Sequence, residues 1–270
     1  ADRKSRQLIH REQGKPICVC GCLAQRYAAD LTDEIPEIDL IVGTGNFTDI
    51  GSLLKQKEHV FIENIDRDIQ ETGRLLSTPP YSAYLKLAEG CDKHCTYCVI
   101  PKLRGRQRSR RMEDILKEAA RLAEQGVKEL ILIAQDTGEY GRDLYGERTL
   151  AKLLAELDKI EGLRWIRLLY VYPETITDEL IQVMKNGKKI LHYIDIPFQH
   201  CNDEVLKAMG RHTSAADIRS VVTRLREAMP DIAIRSTFIT GFPGESMDAV
   251  EELGGFLREM KLDRVGVFPY

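Results

Sequence analysis

The chain has 270 residues, of which 43% are apolar and 30% charged, and a formal net charge of −3. These values are typical of a globular protein with one large core or two modest ones. The near-neutral charge excludes a global basic field that would attract the whole surface to nucleic acid. We find neither a run of eighteen apolar residues nor a signal-like apolar segment, so we expect neither a membrane protein nor an exported one.

The first part of the chain predicts a small α/β fragment followed by a linker. The predicted elements of residues 1–57 are strand 16–20, helix 23–33, strand 39–43 and helix 46–56. Residues 58–80 are polar and end in Pro-Pro, which predicts a linker. Two strands and two helices are few for an independent core, and the chain opens on Ala1 rather than Met. We therefore expect part of a larger N-terminal domain, truncated at its start.

Residues 81–270 alternate between short apolar runs and amphipathic stretches. The predicted strands are 83–88, 129–134, 164–171, 191–196, 232–239 and 263–268. The predicted helices are 113–126, 148–160, 176–186, 214–229 and 246–260. Such alternation indicates right-handed βαβ units and a parallel sheet. Because eight strands would close a full (β/α) barrel, six predict an open, six-stranded partial barrel.

Sequence details also predict where some helices lie and end. One helical face is marked by Leu116, Ala119, Ala120 and Ala123, and another by Leu150, Leu153, Leu154 and Leu157. Thr177 and Ser214 are expected to start helices, and Gly126 and Gly187 to stop them.

The seven cysteines are clustered rather than spread along the chain. They are Cys18, Cys20, Cys22, Cys91, Cys95, Cys98 and Cys201. An odd number in clusters, without an export signal, favours reduced thiolates and metal binding over a disulfide framework. We therefore expect a cytoplasmic protein.

Three of these cysteines fall within eight residues, at Cys91, Cys95 and Cys98. A structural zinc ion usually takes a fourth Cys or His ligand, and His94 is sterically awkward for that role beside Cys95. Three thiolates on a [4Fe–4S] cluster leave one iron open to bind another ligand. The spacing favours such a cluster, with a zinc site and coincidental structural thiols as the alternatives.

Polar residues gather where the predicted strands end. The groups are Gln135–Asp136, Tyr172–Pro173, Gln199–His200 and the sequence TGFPGE at 240–245. Since parallel α/β folds carry their sites at the carboxyl ends of the strands, these residues and the cysteines predict one rim.

The motif Cys-x-x-x-Cys-x-aromatic-Cys, at Cys91, Cys95, Tyr97 and Cys98, resembles the signature of the radical S-adenosylmethionine superfamily. The stretches VCGCLAQRY, EGCDKHCTYCVIPKLRGRQRSR and TFITGFPGES are similar to its methylthiotransferase family. The resemblance implies that the open iron chelates the amino and carboxylate groups of S-adenosylmethionine. One-electron reduction would then release a 5′-deoxyadenosyl radical.

Three further stretches resemble the branch of this family that modifies an aspartate of small-subunit ribosomal protein S-twelve. They are IAQDTGEYGRDLYG (133–146), YVYPETITDELI (170–181) and DIPFQHCNDEVLKAM (195–209). The resemblance implies that a methylthio group is added to the β-carbon of that aspartate. A transferase acting on isopentenyl- or threonylcarbamoyl-adenosine in tRNA is the alternative, for which we would expect Asn at Asp136 and Ser-Gly-Ser at 200–202. A non-catalytic metal-binding module that docks on the ribosome is a second alternative.

The family also implies a second, auxiliary [4Fe–4S] cluster held by three N-terminal cysteines. Cys22 alone matches, in the context GC-x-AQ, so its two companions and a C-terminal TRAM domain are expected outside this chain. Cys18 and Cys20 alternate on a strand and are expected to be small buried hydrophobes. Cys201 is expected to be structural.

The resemblance implies a set of contacts to S-adenosylmethionine. The set comprises Tyr97, Gln135, Asp136, Gln199, Arg235, Gly241 and Phe268. Gln135 and Asp136 would meet the methionine amino group, and the alternative is a polar pair at a helix entry. Arg235 would hold the methionine carboxylate, or else form a buried ion pair within the protein. Phe268 would touch adenine or serve as a core aromatic.

A run of cations follows the cysteines: Lys102, Arg104, Arg106, Arg108, Arg110 and Arg111. It predicts a solvated loop, an rRNA contact or a clamp for an acidic substrate. The resemblance further implies an external one-electron reductant of the flavodoxin or ferredoxin type.

Overall fold

The computed structural model describes residues 15–69, 71, 73–77 and 79–270, so residues 1–14 of the expected N-terminal domain lie outside the described residues. The chain divides into two compact units. The first holds the residues up to Gly73 together with Val99–Arg106, and the second holds Arg74–Cys98 together with Gln107–Tyr270. The boundary lies within the expected linker. The sequence did not predict that Val99–Arg106 would belong to the first unit.

The first unit contains a three-stranded parallel sheet in the order β1-β2-β3. Its elements are β1 (Cys18–Cys20), α1 (Cys22–Glu34), β2 (Leu40–Val42), α2 (Ile50–Leu53), β3 (Val60–Phe61) and α3 (Ile100–Arg104). Strand β3 lies in the segment expected to be a linker, which corrects that expectation. The helix expected over 46–56 is reduced to α2 after a 3₁₀ turn at Phe47–Asp49, in a stretch whose Asn, Thr, Asp and Gly are weak helix formers.

Strand β2 packs different residues on its two faces, as the two-residue period of a strand requires. Ile41 joins a cluster with Ala24 and Leu31 of α1, whereas Leu40 and Val42 face a second apolar cluster. Helices α1 and α3 also contact each other. The first unit is therefore built around a sheet with small apolar clusters on both faces.

The second unit contains a six-stranded, all-parallel sheet in the order β11-β10-β9-β8-β7-β4. Its strands are β4 (Ser82–Lys86), β7 (Glu129–Ile133), β8 (Trp165–Leu168), β9 (Ile190–Asp195), β10 (Ala233–Thr240) and β11 (Arg264–Pro269). The short strands β5 (Ala88–Glu89) and β6 (Arg108–Ser109) pair antiparallel beside it. The strand order follows the chain, which confirms the open six-stranded partial barrel.

Helices connect these strands, and all of them except the four-residue helix Arg142–Tyr145 bury residues on one face. They are α4 (Met112–Glu124), α5 (Arg142–Tyr145), α6 (Leu150–Leu157), α7 (Asp178–Asn186), α8 (Asp203–Ala208), α9 (Ala215–Ala228) and α10 (Met247–Met260). The four leucines predicted as one face of α6 are all buried. On α4 the buried face is turned slightly, because Ile115 and Leu122 are buried with Ala119 and Ala123 while Leu116 is only partly buried.

The expected helix starts at Thr177 and Ser214 are confirmed as N-caps. The Thr177 hydroxyl accepts a hydrogen bond from the Leu180 N–H at 3.2 Å. Ser214 and Asp217 form a capping box, in which each side chain accepts from the other's backbone N–H. None of the described helices has the length and apolar character needed to cross a lipid bilayer.

Candidate functional site

The three clustered cysteines follow β5 at the carboxyl edge of the large sheet. Cys91 and Cys95 are each only 6% exposed, and Cys98 is partly exposed. Burial raises the pKa of Cys91 to about 12, and the neighbouring Cys95 and Cys98 add to the rise. A thiol with so high a pKa becomes a thiolate only when a metal or another cation replaces its proton.

The arrangement of these thiols distinguishes between kinds of metal centre. Among the described residues, no three His, Cys, Asp or Glu side chains converge on one ion position. A multi-iron cluster takes each thiolate on a separate iron, whereas a structural zinc ion gathers all of its ligands around one point. Cys91, Cys95 and Cys98 lie on one short loop and remain the candidate ligands of such a cluster.

A second segment lies directly against the cysteine loop. The backbone N–H of Thr96 donates to the Met209 carbonyl at 3.0 Å, and the Thr96 hydroxyl donates to the Ala208 carbonyl at 2.9 Å. Gly210 has a φ of +70°, and a Cβ there would lie 2.9 Å from the His94 carbonyl oxygen. Only glycine fits this approach without strain, so the segment fixes the position of the cysteine loop.

Tyr172 lies between two cations beside Cys95. Its hydroxyl is 4.0 Å from the Cys95 sulfur. The Arg211 guanidinium lies 4.3 Å from the centre of the ring, and the Lys93 ammonium lies 5.1 Å from it. Burial raises the pKa of the Tyr172 hydroxyl. This tyrosine therefore stays protonated and can donate toward the sulfur.

A cavity of about 390 Å³ lies beside the cysteine loop. It is lined by Asp92, Lys93, Gln107, Asp136, Glu139, Arg142 and Asp143. Asp136 is 1% exposed, and neither of its carboxylate oxygens has a hydrogen-bond partner within the described part of the chain. Burial raises the pKa of Asp136 to about 7, although the Lys93 charge opposes the rise.

Three other charged groups around this cavity, Lys93, Glu139 and Arg142, already form ion pairs. Lys93 binds Glu174 at 2.8 Å, and Glu139 accepts from Arg148 at 2.8 Å and from Arg142 at 3.2 Å. Asp136 is therefore the buried carboxylate that an incoming ammonium group would complement. Gln135, expected to share that role, instead accepts a hydrogen bond from the Gly90 N–H at 2.8 Å.

Gln199 occupies a strained position at the end of β9, with a φ of +73°. Its backbone is held to β10, because Gln199 N–H donates to the Thr237 carbonyl and Ile239 N–H donates to the Gln199 carbonyl, both at 2.8 Å. The side-chain oxygen of Gln199 is buried and has no partner among the described residues. Strain and an unused buried acceptor are typical of a ligand-binding position.

Gly241 lies in the turn that follows β10 and has a φ of +78°. Its N–H donates to the Glu245 carboxylate, whose other oxygen bonds His200. Glu245 thereby ties this turn to the segment after β9. The Gly241 turn and Gln199 thus lie on two segments that one carboxylate joins.

Five other residues with expected roles show mixed outcomes. Arg235 forms an ion pair with Asp195, but the pair is only partly buried, because the Arg235 side chain is 41% exposed. Tyr97 is half-buried, and its hydroxyl has no partner in the part of the chain that the structure describes. Phe268 is 57% exposed, so it is not a core aromatic here. Cys20 is exposed, which makes the expectation that it is buried wrong, while Cys18 packs against the Leu40 cluster.

In the first unit, the sulfur of Cys22 accepts a hydrogen bond from Arg104 Nε at 3.0 Å.

The cations that follow the cysteines differ in exposure. Arg110 is buried and pairs with Glu118 at 2.8 Å, while Lys102, Arg106 and Arg111 are exposed. The cationic run is therefore not one solvated face. Cys201 is fully buried within the apolar core, as a structural cysteine would be.

Sequence reasoning did not find Lys93 or Arg211 as parts of this site, and it placed Tyr172, His200 and Glu245 on the rim without giving them a role. Tyr172, His200 and Glu245 lie within the strand-end groups noted above, and that placement is the signal that could have selected them. Arg211 lies far from the cysteines along the chain, and no spacing points to it.

Comparisons with known proteins agree with this geometry. The family model described as the radical SAM superfamily matches residues 85–257. Two solved structures share the fold at low identity. TsrM, a radical S-adenosylmethionine methyltransferase from Kitasatospora setae, aligns with 69% of this chain and 36% of its own, at a TM-score of 0.58 and 17% identity. The cobalamin-dependent S-adenosylmethionine radical enzyme OxsB aligns with 94% of this chain and 40% of its own chain. The TM-score is 0.61 and the sequence identity is 16%.

Curated relatives are much closer in sequence. The chain is 51% identical to the ribosomal protein uS12 methylthiotransferase RimO of Clostridioides difficile (strain 630) over 261 residues, which cover 95% of this chain and 59% of that protein. It is 52% identical to the protein of the same name from Clostridium botulinum (strain Eklund 17B / Type B), with the same shares covered. The chain therefore spans about three fifths of the length of these relatives.

Proposed function

Because the chain belongs to the radical SAM superfamily, we propose that Cys91, Cys95 and Cys98 hold a [4Fe–4S] cluster and that S-adenosylmethionine binds beside it. When bound, these groups supply one-electron cleavage of a carbon–sulfur bond, which yields a primary carbon radical. Burial of Cys91 and Cys95 supports this, since it keeps water away from reactive species.

The side chains of the second unit divide the binding of S-adenosylmethionine among them. Asp136, buried and unpartnered among the described residues, accepts the methionine ammonium. Gln199 offers its unused buried oxygen to a ribose hydroxyl, and the Gly241 turn lets the backbone approach the adenine. Arg235 is partly exposed and shares its charge between Asp195 and the methionine carboxylate. Gln135 orients the Gly90 backbone, and Tyr97 and Phe268 border the ligand.

The full-length protein adds a methylthio group to the β-carbon of an aspartate in ribosomal protein uS12. The observation that carries this proposal is 51% identity to RimO over 95% of the chain. The β-carbon of an aspartate has no leaving group and no acidic proton, so neither a base nor a nucleophile can install sulfur there. The reaction needs a hydrogen-abstracting radical, a sulfur source and a methyl donor.

A second [4Fe–4S] cluster supplies the sulfur chemistry, with Cys22 as one ligand. The hydrogen bond from Arg104 supports this role, because a cationic donor stabilises a thiolate. The exposed cations Lys102 and Arg106 of the first unit offer a contact for rRNA or for the substrate protein. An external reductant of the flavodoxin or ferredoxin type delivers the electron.

Mass spectrometry of a deletion strain tests this proposal. The parent gene would be deleted, and ribosomal proteins and tRNA digests would be compared with those of the wild type. We expect uS12 to lose the mass of one methylthio group while tRNA is unchanged, and the parent gene to restore it. Loss of methylthio-adenosine from tRNA, with uS12 unchanged, would show that the substrate is tRNA.

A further inference from the structure

Arg211 is a buried cation with an unused hydrogen-bond donor. Its residue is only 7% exposed. Nη2 donates to the Pro197 carbonyl at 2.8 Å, whereas Nη1 is buried and has no acceptor among the described residues. A buried charged donor that lacks an acceptor costs folding free energy, and an anion bound nearby would remove that cost.

The surroundings of Arg211 show where that anion lies. The residue follows Gly210, which packs against the His94 carbonyl of the cysteine loop. Its guanidinium stacks on Tyr172, whose hydroxyl is 4.0 Å from the Cys95 sulfur. Burial works to lower the pKa of Arg211, but the Tyr97, Tyr172 and Cys95 groups together raise it.

The nearest carboxylate does not provide the missing acceptor. Glu174 also helps to raise the pKa of Arg211. Its two oxygens, however, already accept from Lys93 at 2.8 Å and from Thr213 at 2.9 Å. The other groups that raise the pKa of Arg211 are Tyr97, Tyr172 and Cys95, and of these Cys95 becomes negatively charged when it holds a metal.

We propose that Arg211 raises the reduction potential of the cluster held by Cys91, Cys95 and Cys98. One-electron reduction adds a negative charge to the cluster, and a fixed buried cation stabilises the more negative form. The same charge would be strongly screened at the surface, which explains why it is buried. This inference rests on the proposed function, because it requires the cluster.

Potentiometric titration followed by electron paramagnetic resonance tests the inference. The wild-type chain, R211Q and R211K would be reconstituted with iron and sulfide and titrated without S-adenosylmethionine. At a fixed potential we expect R211Q to lower the ratio of reduced to oxidised cluster about tenfold, which is a shift of 59 mV for one electron. R211K keeps the positive charge but loses the planar stacking on Tyr172. Its reduction potential should therefore lie between those of the wild type and R211Q.

Arg219 offers a matched control. Its guanidinium also lies over an aromatic ring, that of Phe256 at 5.2 Å, and it pairs with Glu259 on the surface. R219Q therefore removes the same kind of side chain and should leave the potential unchanged. Iron content and circular dichroism would be measured for every variant.

The outcomes separate this inference from the proposed function. A wild-type chain that binds no iron overturns both. If the wild type and all variants that hold iron have the same reduction potential, the inference about Arg211 fails while the proposed function stands. The same holds if R211Q weakens the binding of S-adenosylmethionine without changing the reduction potential. If R211Q loses its cluster, R211M decides, because it also removes the charge but keeps an apolar side chain in that space: a potential below that of the wild type supports the inference, and an unchanged potential refutes it.

Discussion

His200 and Glu245 form a hydrogen bond of 2.9 Å in the interior, where their side chains are 0% and 4% exposed. The Nδ1 atom of His200 accepts from the Asn202 N–H at 2.9 Å, so the ring proton lies on Nε2 and is donated to Glu245. Glu245 also accepts from the Gly241 N–H. One carboxylate thus joins the segments that follow β9 and β10.

We expect H200A to destabilise the protein by about 3 kcal/mol, because it leaves a cavity and removes one of the two donors to the buried Glu245 carboxylate. H200Q should retain most of the stability, since an amide can donate to Glu245 and accept from Asn202. Denaturant unfolding of the apo chain measures both. The surface pair His192–Asp231, 2.7 Å long, is the control, and H192A should cost no more than about 1 kcal/mol. Equal losses for H200A and H192A would contradict the prediction.

Asp136 predicts a pH dependence of stability. Its pKa in the folded protein is about 7, against an ordinary value of 3.8. As the pH rises from about 4 to about 7, the unfolded chain loses this proton while the folded chain keeps it, so stability falls. Above pH 7, ionisation of the buried Asp136 lowers the free energy of unfolding by on the order of 4 kcal/mol relative to pH 4. D136N removes the charge, so it should match the wild type near pH 4 and be more stable at pH 8.

Urea unfolding of the apo chain at several pH values measures this effect. Asp217 provides the control, because the Ser214 hydroxyl and backbone N–H hold its pKa below the ordinary value. Above pH 5 its ionisation is the same in both states, so the cost of D217A should not change up to pH 8. A stability difference between D136N and wild type that does not vary with pH would show that Asp136 is not the titrating group.

The strands and helices of the second unit could be read from the sequence because local periodicity determines them. The four leucines of α6 repeat with the helical period, and the structure buries all of them. The turned face of α4 could not be read in this way, since Ile115 and Leu116 are both apolar and tertiary packing selects between them. Likewise, the grouping of Val99–Arg106 with the first unit depends on contacts distant in sequence.

The site was predictable only where a chemical motif marks it. Three cysteines in eight residues indicate metal binding without any structure. The raised pKa of Asp136 and the unused donor of Arg211 result from burial, which no local pattern encodes. Arg235 illustrates the same limit, because the sequence required an anion beside it but could not identify Asp195.

The cysteine motif predicts which thiols retain iron. C91A, C95A or C98A should each lose most of the iron that the anaerobically reconstituted chain binds, because two thiolates hold a cluster poorly. C201A removes a thiol of the buried core and should leave iron binding intact, although the cavity costs some stability. Iron and sulfide analysis with absorption spectra measures this. Full iron content in C95A would contradict the assigned ligands.

Gly210 and Gly255 predict opposite effects for the same substitution. At Gly210 the φ is +70°, and an alanine in this conformation would lower the stability by about 1 kcal/mol. Its Cβ would also lie 2.9 Å from the His94 carbonyl oxygen, so the His94 backbone would have to move. We therefore expect G210A to destabilise the apo chain by about 2 kcal/mol and to lower iron retention.

Gly255 lies inside helix α10, and a Cβ there would meet no described atom within 4 Å. G255A should therefore stabilise the chain by about 0.5–1 kcal/mol, since alanine favours the helix. Unfolding curves and iron content of the two variants measure this contrast. If G210A were tolerated as well as G255A, the segment Ala208–Arg211 would not hold the cysteine loop in place, and the position of Arg211 beside Cys95 would lose its structural support.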